Sequence, residues 1–437
     1  MKHPKPQVGS GGPVESRLVR IEKAIYGGSF LARDAGKAVF VPLTLPGEHA
    51  RVRIVDEKRG YSTGEVDEIV GAAPERALPG CRHFGACGGC QYQHTDYETQ
   101  LRLKAEILRE TLERAGVQAP QEIAVLTGKP WEYRNRIRLA LNPGGRVGYR
   151  GRRSHEVVAI EECPIAAPLL VRAGQVTAEA LRDSKPTMRP SELVLFCSGD
   201  ESALLASVFV KAPQKGGFND FANALSERIP ALRGMELVLE GRQGRHSRRL
   251  AVWGETAIAY PAGGFDYRVG HGAFFQVNRW LVDALVERVT APYRGKLAWD
   301  LFAGVGLFAR RLASNFERVI AVESAPAATP HLTENLRGTR GVAVAAETMN
   351  FLRGRSRDDR PELIVVDPPR AGLGEATTSL IADTNTPSLV YVSCDPATLA
   401  RDLRALTGAG NKLESVTLAD LFPQTFHLET VVHLRRS

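Results

Sequence analysis

The spacing of apolar residues changes twice along the chain, and the changes divide it. From about Ser16 to Val70 the apolar runs are short: Leu18–Ala24, Lys37–Val41, His49–Val55 and Tyr61–Ile69. They are punctuated at Gly27-Gly28, Pro42, Pro46-Gly47 and Arg59-Gly60, where the chain must turn. Five short strands at this spacing predict an OB-like barrel. Ala72 to Gly80, with Pro74 and Pro79, reads as a linker. Leu101, Ile107, Leu108 and Leu112 then recur at helical spacing, predicting a helix over Tyr97–Ala115 that closes on Gly116. Glu122 to about Pro261 is β-rich and mixed. From Gly263 onward short apolar strands alternate with helical patterns, the signature of a doubly wound, Rossmann-like α/β fold. The expected domains are 15–72, 73–262 and 263–437.

The α/β part carries the chemistry. Leu363–Val366 runs into Asp367-Pro368-Pro369-Arg370, and Leu389–Val392 runs into Ser393-Cys394-Asp395. Ligands of open parallel sheets sit beyond the carboxyl ends of the strands, so a carboxylate and a thiol should meet at one rim. A cysteine behind an apolar strand is more often core than reactive. Asp395-Pro396 is a turn signal, however, and places Cys394 past the strand end. Upstream, Lys296–Asp300 reads as a first strand, followed by Gly304 and Gly306 before a helix. Glycines there let a ligand approach the backbone at a helix N-terminus. Glu323, at the end of the next strand, has the offset of an acid that binds ribose hydroxyls. The loop is too short for a dinucleotide fingerprint, so a single-nucleoside cofactor such as S-adenosylmethionine fits better than NAD. Glu429 falls in the apolar run His427–Leu434, where an unpaired acid is costly.

Composition narrows the class. The chain has 437 residues, 43% hydrophobic and 24% charged, values of a globular protein of two or three domains. No stretch reaches membrane-span length, and Met1 to Gly12 lacks the apolar core of a secretory signal, so a monomeric cytoplasmic enzyme is expected. The net charge of +8 favours a polyanionic partner only weakly. Its distribution says more: Trp131 to Arg153 holds seven arginines against one acid, Glu132. Arg134, Arg136 and Arg138 alternate with Ile137, Leu139 and Leu141, and Asn142-Pro143-Gly144-Gly145 turns the chain back towards Arg146–Arg150. A solvated sheet face would explain such a hairpin, but arginine in place of lysine, beside Tyr133 and Tyr149, suits phosphate contact and base stacking.

Six cysteines in such a chain point to metal binding or catalysis before disulfides. Cys81, Cys87 and Cys90 form C-x5-C-x2-C among Gly85, Gly88 and Gly89. Cys163, followed by Pro164, is a candidate fourth ligand. Structural zinc sites usually use two closely spaced pairs, and only one C-x2-C is present, so a 4Fe–4S cluster fits better. Cys197, inside Leu193–Phe196 and its continuation, reads as core.

Taken in order, these motifs resemble the bacterial RNA 5-methyluridine methyltransferases, specifically the iron–sulfur branch acting on 23S rRNA. The resemblance spans a TRAM-type OB domain, the C-x5-C-x2-C plus Cys163 set, Phe274-Phe275-Gln276-Val277-Asn278, the Asp300–Gly306 loop, Asp367-Pro368-Pro369-Arg370, Ser393-Cys394-Asp395-Pro396 and His427-Leu428-Glu429-Thr430. It implies that Gln276, Phe302, Gly304, Gly306, Glu323 and Asp367 hold S-adenosylmethionine, that Cys394 is the nucleophile and Glu429 the base, and that RNA is the partner: 23S rRNA, with tRNA as the alternative. The sequence departs from the family pattern at Ala303, at Ala345 or Ala346, where an acid near adenine is usual, and at Gln424, where histidine is common. Pro330 falls where the helix after Glu323 should run, which requires a kink or a later start. A cytosine-5 methyltransferase and a catalytically dead RNA-binding iron–sulfur protein are the rival readings.

Overall fold

The structure is a computed structural model that describes residues 16–142, 145–184, 188–241, 247–356 and 359–436. The Pro143-Gly144 part of the expected arginine turn lies outside them.

Five strands open the chain: β1 (Arg17–Ile25), β2 (Ser29–Asp34), β3 (Lys37–Pro42), β4 (His49–Glu57) and β5 (Tyr61–Gly71). Each pairs with two neighbours in the order β1-β2-β3-β5-β4, so the barrel closes and no edge is left unpaired. Strand β2, Ser-Phe-Leu-Ala-Arg-Asp, is not among the four apolar runs named above. Its Phe30 and Ala32 are fully buried. Helix α1 (Tyr97–Arg114) starts where Asp96 accepts a hydrogen bond from the Thr99 amide and ends one residue before the predicted boundary. A short strand, β6 (Ala124–Leu126), follows.

The middle of the chain builds a seven-stranded sheet from β7 (Arg136–Leu141), β8 (Val147–Arg150), β9 (Val157–Ala159), then, after helix α2 (Pro168–Ser184), β10 (Pro190–Cys197) and β11 (Leu204–Val210), and, after helix α3 (Phe218–Arg228), β12 (Leu232–Leu239) and β13 (Arg248–Gly254). The order is β13-β12-β11-β10-β7-β8-β9. Strand alternation divides its side chains. Ile137, Leu139, Leu193, Leu195, Val208 and Leu237 pack with residues of α2 and α3 in one core. Arg136, Arg138, Val194, Phe196, Ser207 and Glu236 occupy the alternate positions.

A hairpin of β14 (Ala257–Ala262) and β15 (Phe265–Gly270) leads into the α/β part: α4 (Val282–Thr290), β16 (Gly295–Leu301), α5 (Leu307–Leu312), β17 (Phe316–Glu323), α6 (Thr329–Leu336), β18 (Gly341–Ala345), α7 (Thr348–Gly354), β19 (Leu363–Val366), α8 (Gly374–Ala382), β20 (Ser388–Ser393), α9 (Pro396–Gly408), β21 (Asn411–Ala419) and β22 (Glu429–Arg436). The sheet order is β18-β17-β16-β19-β20-β22-β21-β6, parallel except where β22 runs back between β20 and β21. β6 adds to this sheet although it precedes the middle sheet in sequence. The Pro330 conflict resolves by a later start: α6 begins at Thr329, so Pro330 takes the first turn, where no amide donor is required. One apolar core joins the barrel (Phe30, Val39), α1 (Leu103, Leu108) and one face of the α/β sheet (Trp299, Tyr391). The barrel is therefore packed onto the catalytic layer through α1. Among the described residues, no helix is long and apolar enough to cross a membrane.

Candidate active site

Asp367 and Cys394 do arrive at one rim, and the register adds Glu429. Parallel pairing aligns the ends of β16, β19 and β20. Antiparallel pairing of β20 with β22 sets Ser393 opposite Thr430, so the next pair in that register is Cys394 opposite Glu429. Gln276, from the segment after β15, donates from Nε2 to Asp367 Oδ2 at 3.3 Å. Glu429 and Gln276 are buried and Cys394 is half-buried.

The site is short of charge compensation. Burial raises Asp367 to about 7, opposed only by the Gln276 hydrogen bond. Burial, then the nearby Asp367, raises Glu429 well above the ordinary carboxyl range, with Arg370 pulling the other way. Cys394 is pushed up to about 12 by burial first, then by Glu429 and Asp367, while Arg370 lowers it. Without ligands burial thus favours the protonated form of all three groups, whereas a nucleophilic thiol and a proton acceptor must be ionised. His427 is held down to about 4 by burial and then by Arg370, so it is neutral, and its Nδ1 lies 3.1 Å from Arg370 Nη2.

The loop that delivers Glu429 is clamped from outside the α/β sheet. Gln424, the departure from the family pattern, has φ of 67° and is buried. Its amide donates to Gln100 Oε1 at 2.9 Å, and Gln100 Nε2 donates back to Gln424 Oε1 at 2.9 Å. Its carbonyl accepts from the amides of Gln91 and Tyr92, directly after Cys90, at 3.0 Å each. Lys104, fully buried on the inner face of α1, donates to Asp420 Oδ1 at 2.6 Å and to the Phe422 carbonyl at 3.0 Å. From the barrel, Tyr26 donates to the Cys394 carbonyl at 3.3 Å and meets Phe426 edge-on at 5.6 Å. Close packing forces the glycine two positions on, because a Cβ at Gly28 would lie 2.8 Å from Gln91 Cγ. Tyr26 and Gln100 were not signalled by the sequence pattern. Lys104 was passed over as well, although a cation among Leu101, Ile107, Leu108 and Leu112 on the apolar stripe of α1 was the signal that could have found it.

The glycine loop has the expected place but a denser network. Gly304 and Gly306 have φ of 56° and 92°. A Cβ at Gly306 would meet Leu332 at 2.9 Å, whereas one at Gly304 meets nothing within 4 Å. Gly304 thus leaves space at the rim, and Gly306 lets α6 pack. Phe302, also at positive φ (66°), lines a small cleft of about 30 Å³ with Phe274, Gln276, Gly304 and Asp367. Glu323 Oε2 accepts from the Gly304 amide at 2.8 Å, and its Oε1 accepts from the amides of Ser324 and Ala325. Ala345 pairs with Glu323 in register and is exposed, so no acid stands at that position. Two residues on, Glu347 caps α7 without using its side chain. Asp300 is fully buried and raised well above the usual range by burial; Oδ2 accepts from Ala309 at 2.8 Å, and Oδ1 has no partner. Sequence reasoning used Asp300 only as a landmark.

The other four candidate cysteines meet elsewhere. Cys81, Cys87, Cys90 and Cys163 line one cavity of about 610 Å³ between their loop and the middle sheet. Burial raises Cys81 and Cys87 and takes Cys90 to about 12. Among the described residues, no three metal-ligating side chains converge on a point that could hold a single ion. A cluster places its thiolates around a cube instead of around one ion, so a shared cavity is the relevant observation. Cys197 is fully buried in the core. The arginine strand presents guanidinium on one side, as expected, but part of the charge is spent internally: Arg138 and Arg150 both pair with Glu192.

A closed five-stranded barrel docked on a parallel α/β sheet, with a thiol and two carboxyls at the strand ends, defines a two-part RNA-modifying transferase. The profile of the tRNA (uracil-5-)-methyltransferase family matches residues 96–437, and that of the TRAM domain matches residues 14–66. The chain belongs to the tRNA (uracil-5-)-methyltransferase family and is an RNA uracil-5 methyltransferase. It is 31% identical over 433 residues to the 23S rRNA (uracil(1939)-C(5))-methyltransferase RlmD of Chromohalobacter salexigens, covering 95% of this chain and 88% of that one. It is 32% identical over 419 residues to an uncharacterised RNA methyltransferase of Aquifex aeolicus, covering 95% and 97%. The tRNA (uracil-54, C5)-methyltransferase of Pyrococcus abyssi, solved in complex with S-adenosyl-L-homocysteine, shares the fold at a TM-score of 0.77 and 23% identity, over 95% of this chain and 99% of that one.

Proposed function

We propose that the chain forms 5-methyluridine in 23S rRNA, with Cys394 as nucleophile and Glu429 as base. The observation that carries this reading is the register that sets Ser393 opposite Thr430 and so brings Cys394 and Glu429, next in each strand, within electrostatic reach, with Asp367 hydrogen-bonded to Gln276 beside them. S-adenosylmethionine supplies a methyl group on a sulfonium centre. Gly304, with room above its Cα, the unpartnered Oδ1 of Asp300, and Gln276, Phe302, Gly306, Glu323 and Asp367 around the same rim support a site for it.

Carbon 5 of uracil is too poor a nucleophile to take a methyl group unaided. The Cys394 thiolate adds at carbon 6, and the ring becomes an enolate with electron density at carbon 5. Carbon 5 would form its bond to the methyl group as the methyl–sulfur bond breaks, with the electron pair leaving on the thioether sulfur of S-adenosylhomocysteine. Glu429 then takes the carbon 5 proton, the ring double bond re-forms, and the bond from Cys394 to carbon 6 breaks. Tyr26 fixes the Cys394 backbone, and the Gln100–Gln424 pair fixes the loop before Glu429. The target uridine must leave its stack to reach this rim.

The four thiols that line one cavity, with His83 and Glu162 beside them, suit a 4Fe–4S cluster held by Cys81, Cys87, Cys90 and Cys163. Its role would be to tie the cysteine loop to the middle sheet. We also read the chain as three units, 15–72, 73–262 and 263–437, for binding RNA, holding the cluster and transferring methyl. Mapping 5-methyluridine by mass spectrometry in RNA from a deletion strain tests the assignment. Loss from 23S rRNA is expected; loss from tRNA alone would replace the rRNA reading with a tRNA one.

A further inference from the structure

The cavity that holds the four thiols is larger than they need. It crosses the face of the middle sheet turned away from α2 and α3, from Tyr149 on β8, past β7, β10 and β11, to Glu236 on β12. Five neighbouring strands at roughly 4.8 Å spacing make a trough about 19 Å long. The thiols sit at its β8 end, where Cys163 and Tyr149 are hydrogen-bonded. The far end reaches His271, and Val277, whose carbonyl accepts from the Asn135 amide just before β7 at 3.0 Å, lines one side of the trough next to Gln276 of the candidate active site. Register lays two rows across the floor: Arg136–Phe196–Leu205 and Arg138–Val194–Ser207.

The floor has the chemistry of a single-stranded nucleic-acid platform. The Arg136 guanidinium lies over the Phe196 ring at 4.4 Å, and its buried Nε has no hydrogen-bond partner. Arg138 lies over Phe209 at 5.3 Å. The carboxylates nearby are engaged: Glu192 with Arg138 and Arg150, Glu236 with Arg249 and Ser207. Among the described residues, Arg134 and Arg136 form no ion pair with any carboxylate; Arg134 Nε reaches only the Tyr133 hydroxyl, at 3.4 Å. A buried guanidinium without an anion is costly, and a phosphate or an unstacked base would satisfy it. His271 Nε2, at the far end, is also buried without a partner.

We propose that this trough binds single-stranded RNA flanking the target uridine, with Arg136 contacting phosphate or stacking on a base. The proposal rests on the RNA-methyltransferase reading and adds a subsite between the cysteine loop and the catalytic rim. A strand lying there would pass Val277 on the side of the trough, beside the place where the flipped uridine must enter.

The test compares wild type with Arg136→Met, which keeps an apolar stem over Phe196, and with Val194→Glu, which adds a carboxylate on the half-buried floor without touching the core. Each is measured for binding to in vitro transcribed 23S rRNA across a salt series, and for binding of S-adenosylhomocysteine. Arg136→Met should weaken RNA binding roughly 10- to 100-fold and reduce the salt slope by about one, with S-adenosylhomocysteine binding unchanged. Val194→Glu should weaken RNA in the same direction. The methylation defect of Arg136→Met should be overcome by excess RNA. Photocrosslinking of wild type to RNA containing 4-thiouridine should label peptides spanning 190–210. Unchanged affinity and slope in both folded variants would overturn the trough while leaving the methyltransferase reading intact. Wild type that crosslinks through 190–210 yet makes no 5-methyluridine would sink the reading and leave the trough.

Discussion

Two groups of thiols in this chain share one physical condition and answer it differently. Burial raises Cys394 and Cys90 alike to about 12. Around Cys394 the neighbours are carboxyls, Glu429 and Asp367, which raise the thiol further and are themselves raised. Around Cys90 the neighbours are Gln93, which hydrogen-bonds the thiol and lowers it, the thiols of Cys163 and Cys87, and Arg134. The first group is poised to exchange protons within itself once a substrate and a cationic methyl donor arrive. The second can ionise together only with a metal centre to bind. On the proposed reading the same burial would serve catalysis in one place and ligation in the other, with the surrounding side chains deciding which.

The sharpest way to separate the two is to remove one thiol from each. Cys394→Ala should cut methyl transfer by at least about 10⁴-fold if, as proposed, the residue forms a covalent bond in the reaction. RNA affinity, read by filter binding, should survive. Cys90→Ser should instead lose bound iron and sulfide, and with them the brown colour, as measured by metal analysis and visible absorbance. Stoichiometric zinc in a colourless wild-type protein would refute the cluster.

Next in size is the base. Glu429→Gln should lower turnover by about 10²- to 10⁴-fold. At alkaline pH, where Glu429 is ionised, the substitution should also lower the pKa of Cys394, since a negative neighbour that raises it is gone, so alkylation by iodoacetamide there should accelerate. The pH dependence has a definite sign. Glu429 binds its proton more tightly folded than unfolded, so its contribution to stability is complete below the unfolded carboxyl pKa and is lost as pH rises through the folded value. Unfolding of the ligand-free protein in urea should show stability falling from mildly acid to alkaline pH, and falling less steeply in Glu429→Gln. An equal slope would contradict the raised carboxyl.

Smaller effects probe the link between the two thiol groups. Lys104→Met strands Asp420 in the core and should cost about 3–5 kcal/mol, whereas the double variant Lys104→Met/Asp420→Leu should recover most of the loss. Gln100→Ala leaves the Gln424 amide and side-chain oxygen without partners and should cost about 1–3 kcal/mol. Because that pair anchors the loop before Glu429, its turnover should fall while the KM for RNA holds. A change confined to melting temperature would make the clamp purely structural.

Residues next to one another in sequence, or at the ends of apolar strands, were legible before the structure. Asp367, Cys394, Gly304 and Glu323 sit at strand ends because parallel α/β units place them there, and the structure brings them to one rim. The barrel was legible from its turns, although Phe30-Leu31-Ala32 of β2 lies between two glycine-marked turns and was passed over as a strand. What was not legible is long-range register. Nothing local says that Cys394 faces Glu429, that Tyr26 of the barrel reaches the Cys394 carbonyl, or that Ala124–Leu126 joins the far sheet. The Asp300 oxygen left without a partner is likewise a property of packing alone.

The central claim is that Cys394 bonds to carbon 6 of uracil and Glu429 clears carbon 5. RNA carrying 5-fluorouridine at the target tests it directly, because fluorine cannot leave as a proton does and the adduct should persist. Mass spectrometry of the digested complex should find the methylated fluorouridine attached to the peptide containing Cys394, and no adduct with Cys394→Ala. An adduct on another residue, or methylated uridine formed normally by Cys394→Ala, would contradict it.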